Sequence, residues 1–99
     1  DTRSPAAIGD GFRRALPELN PNLVIAMGRF AVQALYGTET TLDSLRGQWL
    51  DLHFDGGTAA LRVTHHPEAI LLLSARGQTG PKREAFVDLK AVGDRLTSA

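Results

Sequence analysis

Apolar residues along this chain change their spacing several times. Phe12, Leu16 and Leu19 recur at helical intervals, so the spacing predicts a helix over residues 11–19. Asp10 is the N-cap candidate, and Pro17 disturbs the last turn. Asn20-Pro21-Asn22 is a turn, and the unbroken run Leu23-Val24-Ile25-Ala26-Met27 follows. Such a run suits a strand buried on both faces. Gly28 ends it, and residues 29–36 return to a helical pattern with Phe30, Ala34 and either Ala31 or Leu35 inward. Gly37 is placed to follow that helix as its C′ residue.

Residues 38–44 are polar and read as a loop. Alternation at Trp49, Leu50, Leu52 and Phe54 predicts a strand, Asp55-Gly56-Gly57 a hairpin turn, and residues 58–64 a returning strand. A short apolar segment follows, then a loop over residues 75–81 rich in glycine and proline. Residues 82–96 predict an amphipathic helix with Phe86, Leu89, Val92 or Gly93, and Leu96 on its inner stripe. Residues 1–9 read as a flexible lead-in, broken by Pro5 and Gly9. The order is that of an α/β fold. Three strands leave such a sheet thin, so the 99 residues read as the C-terminal part of a larger α/β unit.

Composition adds exclusions. There is no cysteine, which removes disulfides, thiolate zinc sites and cysteine-ligated iron–sulfur clusters within this chain. The longest apolar stretch, residues 69–73, is far short of the roughly 20 needed to span a bilayer, and residues 1–5 have no signal-peptide core. Formal net charge is zero. Residues 1–58 hold five arginines against seven carboxylates, and residues 59–99 hold six basic groups against four acidic ones. Strong non-specific nucleic-acid binding usually needs a more basic face than that.

The candidate chemistry lies at His65-His66-Pro67-Glu68. Proline biases the residue before it to an extended backbone, which sets His66 at the end of a strand. In open parallel α/β sheets ligands bind beyond the carboxyl ends of the strands. His66 there is either a group facing a ligand or a turn residue capping backbone groups. Adjacent strand residues point to opposite faces, so His65 and His66 make a poor metal pair, with or without His53. Gly28-Arg29 at a helix start is either a phosphate contact or a tight turn.

Four segments together resemble the uracil-DNA glycosylase superfamily, in particular its family-four branch. Residues 21–28 followed by Ala31-Val32-Gln33-Ala34-Leu35-Tyr36-Gly37 resemble its strand–Gly–helix segment. Leu45-Arg46-Gly47-Gln48-Trp49 is similar to its Leu-Arg-Gly-x-Trp step. His66-Pro67-Glu68-Ala69-Ile70-Leu71-Leu72 resembles its second catalytic motif, His-Pro-Ser/Ala-x-x-Leu. Residues 82–90 resemble its closing helix, Lys-x-x-x-Trp-x-Asp-Leu, with Phe86 in place of the tryptophan. The likeness spans roughly residues 20–96.

The resemblance implies a Rossmann-like three-layer sandwich with a mostly parallel sheet, here its C-terminal portion. It implies hydrolysis of the N-glycosidic bond of uracil in DNA, with His66 stabilising the leaving base anion. Pro67, Glu68, Ala69, Lys82, Arg83 and Arg46 would lie at the base or the DNA. Uracil-containing DNA is the implied partner, with a cytoplasmic, bacterial nucleoid-associated location. Several family features are missing. The Gly-Glu-x-Pro-Gly motif and the strand with the base-reading asparagine do not occur, and Thr2-Arg3-Ser4-Pro5 is only similar to the Asn-Arg-x-Pro loop, with a shorter spacer. A cluster cysteine would fall near residues 8–12 and none is there, so no cofactor is expected. The missing half would come from upstream residues or from a protein partner, and this chain alone would be inactive or nearly so.

Some assignments stay open at this level. Glu68 can repel DNA phosphate or hold a charged His66. Ile70-Leu71-Leu72 is core or a wedge pressed into the duplex. Lys82 and Arg83 bind phosphate or form a solvated face. Arg46-Gly47 fixes the turn into the hairpin or contacts ligand, and Trp49 reads as core. Two other functions fit the same residues: a catalytically silent interaction module of this fold in a replication or repair assembly, or a generic nucleotide-binding α/β fragment.

Overall fold

The computed structural model describes residues 5–97. In chain order they form α1 (Pro5–Leu19), β1 (Leu23–Met27), α2 (Gly28–Tyr36), α3 (Leu42–Leu45), β2 (Trp49–Phe54), β3 (Gly57–Thr64), α4 (Pro67–Ala75) and α5 (Gly80–Thr97). The sheet is mixed, in the order β1-β3-β2. β1 runs parallel to β3 with Leu23 opposite Ala60 and Met27 opposite Thr64. β2 and β3 are antiparallel, and the Asp55-Gly56 turn joins Phe54 to Gly57, with Gly56 at φ 91°. That conformation is nearly free for glycine and strained for other residues.

The alternating pleat gives the sheet two different faces. Ala26, Leu52, Ala59, Leu61 and Val63 point to one side and are buried with Leu16 of α1 and Val32 of α2. Phe12, Ala31, Leu35, Leu42 and Leu45 close this core at its margin. On the opposite side Arg62 and Thr64 of β3 meet Asp88 of α5. Helices therefore cover both faces of β3, whose residues 59–64 are all buried.

Several sequence expectations change. The lead-in is helical from Pro5, and Asp10 lies within α1 and not at its N-cap. Thr2 to Ser4 and the motif likeness there lie outside the described residues. Gly9 is a packing residue: a Cβ on it would sit 1.8 Å from the carbonyl oxygen of Ala34 in α2. Its bare backbone lets the two helices touch. Pro17 is accommodated inside α1, which ends where Asn20 takes a left-handed φ of 45°. Part of the expected loop at 38–44 is the short helix α3, capped by Thr41 Oγ1 accepting from the Ser44 N–H at 3.3 Å.

In α2 Gly28 and Val32 are buried and Ala31 and Leu35 pack against the core as expected, whereas Phe30, expected inward, is exposed. In α5 Ala85, Asp88 and Val92 face inward, whereas Phe86, Leu89 and Leu96 are exposed. Asp88 sets that phase, because its carboxylate is drawn to two arginines and a threonine hydroxyl. α4 buries none of its side chains fully, and Leu71 is 72% exposed, so the core reading of residues 70–72 is corrected for Leu71 and Leu72. No helix among the described residues is long and apolar enough to cross a membrane.

Gly9→Ala should lower stability by about 1–3 kcal/mol or more, the usual cost of overpacking a close contact. Thermal unfolding measures this, and an unchanged midpoint would mean that α1 does not pack on α2 through Gly9.

Candidate functional site at the carboxyl ends of β1 and β3

Because β1 and β3 are parallel and in register, both leave the sheet at the same end. β1 passes directly into α2 through Gly28, at φ 88°. β3 passes through His65 and His66 into α4. The two exits nearly touch, since a Cβ on Gly28 would lie 2.9 Å from the Cβ of His66. Only glycine combines that approach with a left-handed backbone.

His66 is extended, as expected before proline, at φ −74° and ψ 141°. It is the N-cap of α4, with Pro67 in the first turn. Its Nδ1 accepts the N–H of Glu68 at 3.1 Å. A neutral imidazole whose Nδ1 accepts carries its proton on Nε2. The ring is exposed, and Nε2 has no partner among the described residues. His66 thus caps a helix, as the turn-residue alternative in the sequence had it, and leaves its ring exposed to solvent. The contact to Glu68 is through its backbone, so the charged pair between the two side chains is not formed.

His65 points the other way and is buried. Its Nε2 lies 2.9 Å from Glu84 Oε1 and must donate, because a carboxylate only accepts. Glu84 Oε2 also pairs with Arg46 Nε at 3.2 Å. One turn further along α5, Asp88 is 0% exposed. Its Oδ1 accepts from Arg62 Nε at 2.9 Å and Nη2 at 2.8 Å. Its Oδ2 accepts from Thr64 Oγ1 and Arg46 Nη1, both at 2.8 Å. Two arginines and two carboxylates balance in formal charge, and each buried polar atom of Asp88 has partners. Such a cluster tolerates burial, whereas a lone charge would not.

Arg46 reaches Asp88 because Gly47, at φ 83°, turns the chain between α3 and β2. Arg46 therefore ties the hairpin to α5 and its guanidinium is engaged inside the protein. Trp49 is half-buried and not a core residue in the apolar sense. The guanidinium carbons of Arg62 and Arg95 lie 5.2 and 4.6 Å from the centre of its ring, within cation–π range.

The remaining sequence candidates divide. Pro67, Glu68 and Ala69 form the first turn of α4 at the mouth, with Pro67 and Glu68 exposed. Lys82 and Arg83 lie on the first turns of α5, exposed and without an ion-pair partner among the described residues. His53 is remote, bonded across the hairpin to Thr58 Oγ1 at 3.1 Å. Among the described residues no three His, Asp or Glu side chains are grouped as metal ligands would be. The Asp88 cluster was missed in the sequence, although Arg46, Arg62 and Asp88 were each visible as charges in apolar surroundings. No protein-family model matches the chain, and no curated protein matches it either.

Asp88→Ala strands the Arg62 cation and should cost about 3–5 kcal/mol in urea unfolding. Lys90→Ala breaks only the exposed pair with Asp94 and should cost about 0.3–0.5 kcal/mol. Comparable small losses for both would show that the buried cluster holds nothing. Gly28→Ala should displace the His66 ring, seen as a shift of its imidazole proton resonances, and an unmoved ring would contradict the close approach of the two strand exits.

Proposed function

We propose that this chain is the C-terminal portion of a uracil-DNA glycosylase-like enzyme, hydrolysing the N-glycosidic bond of uracil in DNA. The observation that carries the reading is His66, exposed at the carboxyl ends of two parallel strands, with Nδ1 accepting from the Glu68 N–H and Nε2 without a partner among the described residues. The order of the four sequence segments supports it as well.

In this reaction water adds to the sugar carbon while the bond from that carbon to the base breaks. The bonding electrons leave with the pyrimidine, which becomes an anion with charge on its oxygens. The Nε2–H of His66 donates to one such oxygen. The Glu68 N–H fixes the ring beforehand, so the donor costs little reorganisation as charge develops. A single donor of this kind is worth about 2.7–4 kcal/mol, or 10²–10³ in kcat. Extruding the base from the duplex costs a few kcal/mol, recovered by contacts in the pocket. Leu71 and Leu72, exposed on α4, suit a wedge that fills the vacated stack.

The residues that orient the water and read the base belong to the missing part of the site. Support for such a part comes from β1, whose outer edge pairs with nothing among the described residues. Beside it an apolar cavity of about 250 Å³ opens between Ile8, Phe12, Val24, Ile25, Phe30 and Leu35. An uncovered apolar edge strand invites further strands. Continuation there by upstream residues or a partner chain would give the Rossmann-like, mostly parallel three-layer sheet.

The test is release of uracil from single-stranded DNA by the full-length gene product, with His66→Ala beside it. The reading expects activity in the first and a loss of about 10²–10³ in kcat in the second. Equal activity in both removes His66 from the reaction. No activity in either, with both proteins folded, favours a silent interaction module.

A further inference from the structure

A second feature, on the outer face of α5, has no part in the chemistry above. Phe86 is 70% exposed and Val87 is 55% exposed. Leu89 and Leu96 of the same helix are exposed as well, and apolar side chains left open together on one element are the kind of surface that marks an interaction site. With Thr79, Lys82 and Arg83, Phe86 and Val87 line a shallow concavity of about 520 Å³. Lys82 and Arg83 precede Phe86 by four and three residues, and Arg83 precedes Val87 by four, so these side chains are neighbours on the helix. With Arg76, which is exposed at the end of α4, these two cations are the basic groups of residues 59–97 without an ion-pair or ring partner among the described residues, and Lys82 and Arg83 alone flank an exposed aromatic ring on the same helix. Arg46 and Arg62 are consumed by Asp88, Lys90 pairs with Asp94 at 3.0 Å, and Arg95 lies over Trp49. Lys82 and Arg83 have no such partner among the described residues.

We propose that this surface binds a single-stranded nucleic acid, with a base stacked on the Phe86 ring and the adjacent phosphates neutralised by Lys82 and Arg83. A flat apolar ring flanked by unpaired cations matches a polymer that alternates flat rings with anions. Single-strand binding proteins use the same two elements, an aromatic platform and a positive track. A protein partner would favour a pocketed, desolvated anchor, and this concavity is open and cation-rimmed. The site is also fixed in place relative to the mouth. Glu84, next to Arg83, holds His65, next to His66, at 2.9 Å. The start of α5 is thereby tied to the end of β3. The inference rests on the glycosylase reading only in taking the bound strand to be the one whose base reaches His66.

The experiment is fluorescence anisotropy of the full-length protein with a labelled oligothymidylate about 12 nucleotides long and free of uracil. Phe86→Ala should weaken binding by about 5- to 150-fold, the value of one stacked base. The Lys82→Gln/Arg83→Gln variant should reduce the slope of log affinity against log salt by about 1.4, since each phosphate contributes roughly 0.7 for a single strand. Circular dichroism should show both variants folded, as neither removes a buried side chain. Wild-type affinity in folded Phe86→Ala, or an unchanged salt slope, overturns the proposal. So does Phe86-dependent binding to vesicles of one-third phosphatidylserine in phosphatidylcholine without binding to the oligonucleotide, which would make the surface a lipid site. Oligonucleotide binding that depends on Phe86, in a protein that releases no uracil, leaves this site standing and removes the catalytic reading. Uracil release with no dependence of binding on Phe86 does the reverse.

Discussion

The buried carboxylate of Asp88 is the interaction on which this arrangement depends. It joins α5 to β3 through Arg62 and Thr64, and to the start of the hairpin through Arg46. A helix docked by apolar contacts alone could rotate by one residue at little cost, since Leu89 and Leu96 flank its buried arc. Four directional bonds to one carboxylate remove that freedom. They fix which face of α5 meets the sheet, and so which face carries Lys82, Arg83 and Phe86 outward. Glu84, on the next turn, extends the same constraint to His65 and therefore to the strand exit.

The two sides of the sheet are stabilised differently. Towards α1 and α2 the contacts are aliphatic and close-packed, and Gly9 brings the helices into contact. Towards α5 the contacts are ionic, aromatic and specific in direction. A buried ion cluster gains little over an apolar core of equal volume, but it suffers greatly when one member is lost. Its contribution is best read as specificity: it selects one rotation of α5, and the mouth at His66 and the outer surface of α5 follow from that rotation.

Much of the fold was legible in the residues. The unbroken run at β1, the Asp55-Gly56 turn and the His66-Pro67 step gave strand, hairpin and strand exit by local chemistry alone. The separation of His65 from His66 to opposite faces followed from the pleat. What failed did so where a tertiary contact overrode periodicity. Phe86, Leu89 and Leu96 form an apolar stripe, yet the stripe is exposed because Asp88 demanded the inner position. Gly9 read as a breaker, since nothing local reveals that Ala34 lies against it. Arg62 entered only as one of the six basic groups of residues 59–99, and its pairing with a residue 26 positions away has no signal in a single sequence.

The most direct measurement is a double-mutant cycle on Arg62 and Asp88, using Arg62→Met, Asp88→Leu and the pair together in urea unfolding. The account predicts that each single change is strongly destabilising and that the pair costs less than their sum by about 2–3 kcal/mol, as expected for residues in direct contact. Additive losses, with no coupling between the two positions, would contradict it and leave the orientation of α5 without a physical cause.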